Sequence, residues 1–247
     1  LFATDAEAAG YAVDQTAVNN RINAAAGSER GLHAGDLKFL DLDGDNVISI
    51  GKNTVDDPGD MKIIGNTTPR YSYSFRIEAS WNGFDISAFF QGVGKRDWYP
   101  TANKDDIYGA NQFWQLYGYT IPSFITYDFM DDVWSEQNPG GYFPRLRPIQ
   151  SYNGGPLGQN NDRYLQSVAY LRFKNLTIGY TLPVLKKYLS KLRIYVSGEN
   201  LCYWSPLKKH CKLIDPELAI SSGTYKGGTG TGYTMPRTFS FGVDITF

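Results

Sequence analysis

Three carboxylates stand at alternate positions early in the chain: Asp41, Asp43 and Asp45, within Gly35-Asp36-Leu37-Lys38-Phe39-Leu40-Asp41-Leu42-Asp43-Gly44-Asp45-Asn46-Val47-Ile48. This is the 1, 3, 5 ligand spacing of an oxygen-donor calcium loop, with Ile48 at position 8. Position 6 of such a loop needs positive φ, and Asn46 is the residue that tolerates it best after glycine. Lys52 stands at position 12, where a bidentate Glu belongs, so an EF-hand is excluded. The Val47 carbonyl and Asp56 or Asp57 are expected to complete the shell. Carboxylates this close repel one another unless a cation or solvent relieves them. A structural calcium ion is the expectation, and a solvated acidic turn is the alternative.

Aromatic residues supply a second chemistry. Trp98, Trp114, Trp134 and Tyr142 lie in residues 94–164, a stretch rich in Tyr, Trp, Asn, Pro and Gly without sustained alternation. Ring faces stack on sugar C–H groups and leave hydroxyls to Asn, Asp and Arg, which makes these four the ligand-binding candidates. Packing within the loop, or contact with a partner, is the alternative role. Cys202 and Cys211 lie nine apart in a polar stretch and are expected to form a local disulfide, which requires an oxidising compartment. Two cysteines and His210 do not make a zinc site. His33 and His210 are far apart with no nucleophile motif, and Asp131, Asp132 and Glu136 give only weak support for acid–base work. The chain is not expected to be an enzyme.

The elements that carry these groups read as strands. Net charge is −1, so no basic field argues for nucleic acid. Aromatics make up 15% of residues, with 18 Tyr against 3 Met, a weighting that favours strands over helices. No run of apolar residues is long enough for a transmembrane helix. Short helical turns are expected at residues 6–9 and 21–26. From Tyr71 to Ser80 apolar and polar residues alternate, Asn82-Gly83 marks a tight hairpin, and Phe84 to Gln91 alternates again. Between Ala169 and Tyr180 the phase slips by one residue near Lys174-Asn175, the mark of a β-bulge. Further alternation covers Leu192 to Glu199 and then Phe239 to Phe247.

That last segment sets Phe239, Phe241, Val243, Ile245 and Phe247 against Ser240, Gly242, Asp244 and Thr246. A soluble edge strand avoids so flat an apolar row, whereas a strand between lipid and a polar lumen requires it. Five strands are joined by short (81–83, 181–191) and long (94–164, 202–236) connections in turn, as in outer-membrane barrels. The predicted fold is all-β: an antiparallel transmembrane β-barrel segment, too few strands to close, and therefore the C-terminal part of a larger chain. Residues 1–69 would form an extracellular loop region bearing the acidic motif, and 70–247 the strands. Phe247, which continues the apolar row, is expected to signal barrel assembly, with interfacial anchoring as the alternative. A secreted calcium-stabilised β-sandwich that binds carbohydrate is the rival reading.

Several segments resemble the SusC-like (SusC/RagA) TonB-dependent transporters of Bacteroidetes-type outer membranes. They are Asp36 to Asp45, Phe84-Asp85-Ile86-Ser87-Ala88-Phe89-Phe90-Gln91-Gly92, Tyr170-Leu171-Arg172-Phe173-Lys174-Asn175-Leu176-Thr177-Ile178-Gly179-Tyr180, Arg193 to Leu201 and Pro236 to Gly242. The resemblance runs in the family's order from about residue 35 to 247 and departs from it at Asn46, where members often carry Gly. It implies a plugged barrel of about 22 strands. It also implies import of oligosaccharides, otherwise peptides, with a SusD-like surface lipoprotein as lid. TonB would supply energy through a segment outside this sequence.

Overall fold

The computed structural model describes residues 1–23, 27, 30–100, 111–117, 125–147, 156–183, 189–219 and 235–247. Among the described residues the strands are β1 (Tyr71–Trp81), β2 (Phe84–Lys95), β3 (Asp97–Trp98), β4 (Gln166–Ser167), β5 (Tyr170–Leu182), β6 (Lys191–Trp204) and β7 (Thr238–Thr246). Five of them make one antiparallel sheet in the order β1-β2-β5-β6-β7, and β3 pairs with β4. The strands of the larger sheet lie side by side in the order in which they occur along the chain, as the alternation of short and long connections predicts. Among the described residues β1 and β7 are the two edges and do not pair with each other, so the sheet is open.

Local chemistry fixes the register. Asn82 (φ 48°) and Gly83 (φ 85°) both adopt the left-handed conformation, so β1 folds onto β2 through a two-residue turn. The predicted bulge sits at Lys174: Phe90 opposes Phe173, whereas Phe89 opposes Asn175. That one extra residue keeps Phe173 and Leu176 on the same side despite their odd spacing. On β6, Asn200 takes φ 51° between Glu199, which opposes Asn175, and Cys202, which opposes Phe173.

The pairing separates the sheet's two faces. One face carries Phe75, Ile77, Phe84, Ile86, Phe90, Phe173, Ile178, Ile194, Val196, Phe241, Val243 and Ile245. The other carries Arg76, Glu78, Asp85, Gln91, Arg193, Glu199 and Asp244. Phe75, Phe90 and Phe173 stack in a ladder with centroids 4.8 and 4.5 Å apart. The apolar face is uncovered: Phe241 is 71% exposed, and Phe247, just past β7, 88%. In a sandwich this face would lie under a second sheet, whereas here its side chains are exposed.

The chain divides into two compact units, and the division differs from the expected boundary at residue 69. The sheet unit contains Asn66–Trp98, Gln166–Ala219 and β7. Tyr99–Leu165 folds with Leu1–Gly65 as the other unit. The cause is a set of links between those two stretches: Arg147 to Asp36, the Arg145 N–H donating to the Gly35 carbonyl (2.9 Å), and Lys62 to Asp162 (3.0 Å). This unit holds α1 (Asp5–Ala9), whose Glu7 N–H donates to the Thr4 side chain, then α2 (Thr16–Asn23) and α3 (Asn111–Trp114). Its interior is aromatic: Phe113, Trp114, Tyr117, Phe129, Phe143 and Tyr164 pack mainly edge to face. No described helix is long and apolar enough to cross a membrane.

Candidate ligand and metal sites

The acidic turn forms, with one substitution in its membership. Asp41 accepts from the N–H groups of Gly44 (2.6 Å) and Asn46 (2.8 Å), and Asn46 takes the expected positive φ of 64°. The Asn46 and Gly44 N–H groups hold the Asp41 carboxyl below its ordinary pKa. Asp45 turns its carboxylate to the N–H of its own turn at Val47 (2.7 Å). In its place comes Asp60, whose oxygens accept from Leu42 (2.6 Å) and Ser49 (2.7 Å). Carboxylate oxygens of Asp41, Asp43 and Asp60 lie within 4.8 Å of one another. At Asp43 the Asp45 N–H acts to lower the pKa, but desolvation and the neighbouring charges of Asp45, Asp60 and Asp41 raise it overall.

Neither Asp56 nor Asp57 joins this cluster. Asp57 pairs with Lys52 (3.2 Å) and Asp56 is exposed. Val47 forms a parallel bridge with Asp14. The signal for Asp60 was present in Pro58-Gly59-Asp60: Gly59 (φ 55°) packs so tightly on Gly51 that a Cβ would fall 2.4 Å from the Gly51 nitrogen, and this turn returns Asp60 to the loop.

The four aromatic candidates part company. Trp98 and Trp114 are buried, at 0% and 1% exposure, so neither offers a ring face to a ligand. Trp114 is enclosed by Phe113, Phe143 and Tyr164, and its indole N–H donates to the Pro100 carbonyl. Burial raises the tyrosine hydroxyl pKa at Tyr99, Tyr117 and Tyr164 alike. Tyr142 is half-buried, donates to the Arg163 carbonyl (2.8 Å) and lies under the Arg163 guanidinium. Trp134 is half-buried at a crevice that also contains Asp5, His33, Glu136 and Arg145.

The expected disulfide does not form: neither Cys202 nor Cys211 is bridged. Cys202 stands on the apolar face opposite Phe173. Cys211 is buried after the turn Pro206–Lys209, and burial pushes its thiol up to about 11.

Three ionic clusters escaped the sequence reading because their members are far apart in the chain. Arg147 and Asp36 pair with both side chains at 0% exposure. Arg172 binds Asp215 (2.5 and 2.6 Å) and Glu217 (2.8 Å), and Lys174 reaches Glu217 (3.0 Å), tying residues 215–217 to β5. Arg193 joins Asp85 (2.6 Å) and Asp244 (3.0 Å) across four strands of the polar face. Its guanidinium lies over Gly179, where a Cβ would come within 2.5 Å of it.

No protein-family model matches the chain. It is 29% identical over 219 residues to TonB-dependent receptor P3 of Formosa agariphila, covering 85% of this chain and 19% of that protein. It superposes on the RagAB peptide transporter structure with a TM-score of 0.50 and 21% identity, covering 76% of this chain and 18% of that one. The chain thus spans about a fifth of the curated relative it matches. By sequence it is similar to a portion of a TonB-dependent receptor, and by fold to a portion of the RagAB structure.

Proposed function

We propose that the chain forms part of the wall and outer loops of an outer-membrane transporter that imports oligosaccharides. The observation that carries this reading is the one-sided sheet: an uncovered apolar face backed by a polar face with the Arg193–Asp85–Asp244 cluster. Lipid on one side and a wet lumen on the other is the environment in which both faces are satisfied. Similarity to a TonB-dependent receptor supports the same environment. The open edges at β1 and β7 would pair with strands outside this sequence, since exposed edges otherwise aggregate. A SusD-like surface lipoprotein would lid the barrel, and TonB would drive transport through a segment outside this chain.

Deleting the gene should abolish uptake of an oligosaccharide on which the parent cells grow, while leaving growth on the free monosaccharide unchanged. The alternative cargo is a peptide, the ligand named for RagAB. Loss of growth on peptides with oligosaccharide uptake intact would select it.

We also propose that Asp41, Asp43 and Asp60 hold a calcium ion, because oxygen donors alone suit a hard cation. Isothermal titration should detect calcium uptake that Asp60→Asn weakens and Asp56→Asn leaves unchanged. No uptake at millimolar calcium would leave a solvated turn.

A further inference from the structure

The crevice at Trp134, of about 550 Å³, is lined by Thr4, Asp5, His33, Trp134, Glu136 and Arg145. Its size falls within the range of small-molecule sites. Backbone contacts hold its side chains in place. The Trp134 N–H donates to the Phe143 carbonyl (3.0 Å), and the indole packs on Gly35, where a Cβ would fall 2.4 Å from ring carbons. Gly35 adopts φ 83° and its carbonyl accepts the Arg145 N–H, so one glycine seats both the indole and the base of the arginine. Asp5 is fixed by the Ala34 N–H (2.8 Å), which holds its carboxyl below the ordinary range with help from the His33 and Arg145 charges. Glu136 sits in the turn between Ser135 and Asn138.

The part-exposed His33 ring turns its Nδ1 to Asp5 (3.5 Å) at the crevice wall. The remaining chemistry narrows the class. The carboxylates of Asp5 and Glu136 in the lining disfavour an anionic ligand. Apart from Trp134 the apolar lining is only Ala3, Ala34 and Pro139, too little to hold alternate side chains of an extended peptide. An aromatic platform ringed by hydroxyl acceptors and donors suits a neutral pyranose.

We propose that this crevice is a saccharide subsite for one or two neutral hexose units. Trp134 stacks on the sugar face, Asp5 and Glu136 accept from hydroxyls, and Arg145 donates. The proposal rests on the oligosaccharide-uptake reading above for its choice of cargo.

The detergent-purified protein, labelled with 5-fluorotryptophan, provides the test, with Trp134→Phe assigning the resonance and checking the fold. Maltotriose, cellotriose and mannotriose are the probes, with tetra-alanine as the peptide arm. At least one trisaccharide should shift the Trp134 signal saturably, and tetra-alanine should not. Trp134→Ala should abolish binding, and Glu136→Gln should weaken it about tenfold, the loss typical of a charged hydrogen-bond acceptor. No shift with any trisaccharide, a shift with tetra-alanine alone, or an affinity indifferent to both substitutions would overturn the assignment. Saccharide binding without oligosaccharide uptake in cells would instead sink the transport reading and spare the site.

Discussion

The two units put the same residue types to opposite uses. In the sheet unit Phe75, Phe90 and Phe173 stack along an uncovered face, and the row continues to Phe241 and Ile245 on β7. In the other unit Phe113, Trp114, Phe143 and Tyr164 turn inward and pack against each other, shut off from solvent. Guanidiniums are sealed in both units, Arg147 with Asp36 at zero exposure and Arg172 with Asp215 and Glu217, whereas Arg193 on the polar face stays nearer the surface with two carboxylates. On the proposed reading, the loop unit turns its aromatic rings away from water, and the sheet displays its apolar row to lipid and turns Arg193 to the wet side.

The largest effect that would sharpen this contrast is in the buried pair. Arg147→Met leaves the Asp36 carboxylate with the His33 N–H (2.7 Å) but without its cation. Breaking such a pair costs about 3–5 kcal/mol. Urea unfolding followed by tryptophan fluorescence should show that loss, and adding Asp36→Leu should recover part of it, because the uncompensated charge is then gone. Stability unchanged in the single variant would mean that water reaches the pair.

The next effect concerns which face of the sheet meets lipid. Arg in place of Val243 should cost about 2–4 kcal/mol if the site lies near the bilayer midplane. Arg at Ser240, on the opposite face of the same strand, should cost close to nothing. Folding titrations into lipid vesicles would measure both, and equal costs would remove the asymmetry on which the transport reading stands.

The contrast also explains what the sequence made legible. Period-two alternation, the Asn82-Gly83 turn and the phase slip at Lys174 are local signals, and strand order and facing follow from them. The unit around Trp114 has no such period, because its rings come from short helices and turns whose partners lie tens of residues away. Arg147 meets Asp36 across 111 residues, a pairing that no spacing rule anticipates. The acidic turn was half legible. Asn46 and the Asp41–Asp43 pair follow from spacing, but Asp45 is captured by its own backbone turn and Asp60 is delivered by a second loop. The cysteines misled because nearness in sequence says nothing about direction: a strand side chain on the apolar face and a thiol buried after the next turn do not meet.

The smallest effect is the most informative about the polar face. Arg193 donates through Nε to Asp85 (2.9 Å) and through Nη1 to Asp244 (3.0 Å), with its guanidinium above the Tyr195 ring. The chemistry matches that of Arg147 and Asp36, but the setting does not: the Asp85 and Asp244 side chains are 34% and 54% exposed. Solvent screens the pair, and partly exposed ion pairs contribute about 1 kcal/mol or less. Asp85→Asn should therefore cost no more than that, since Asp244 still neutralises Arg193. The double variant Asp85→Asn/Asp244→Asn leaves the guanidinium with neutral amides and the Tyr195 ring but no counter-charge from either position, and should cost more than the two single changes summed, the sign of a shared partner. Denaturant titrations of the four proteins measure this coupling. A single-variant cost near that of Arg147→Met would show a dry polar face, and the sheet would then need a second packed layer where the transport reading places a wet lumen.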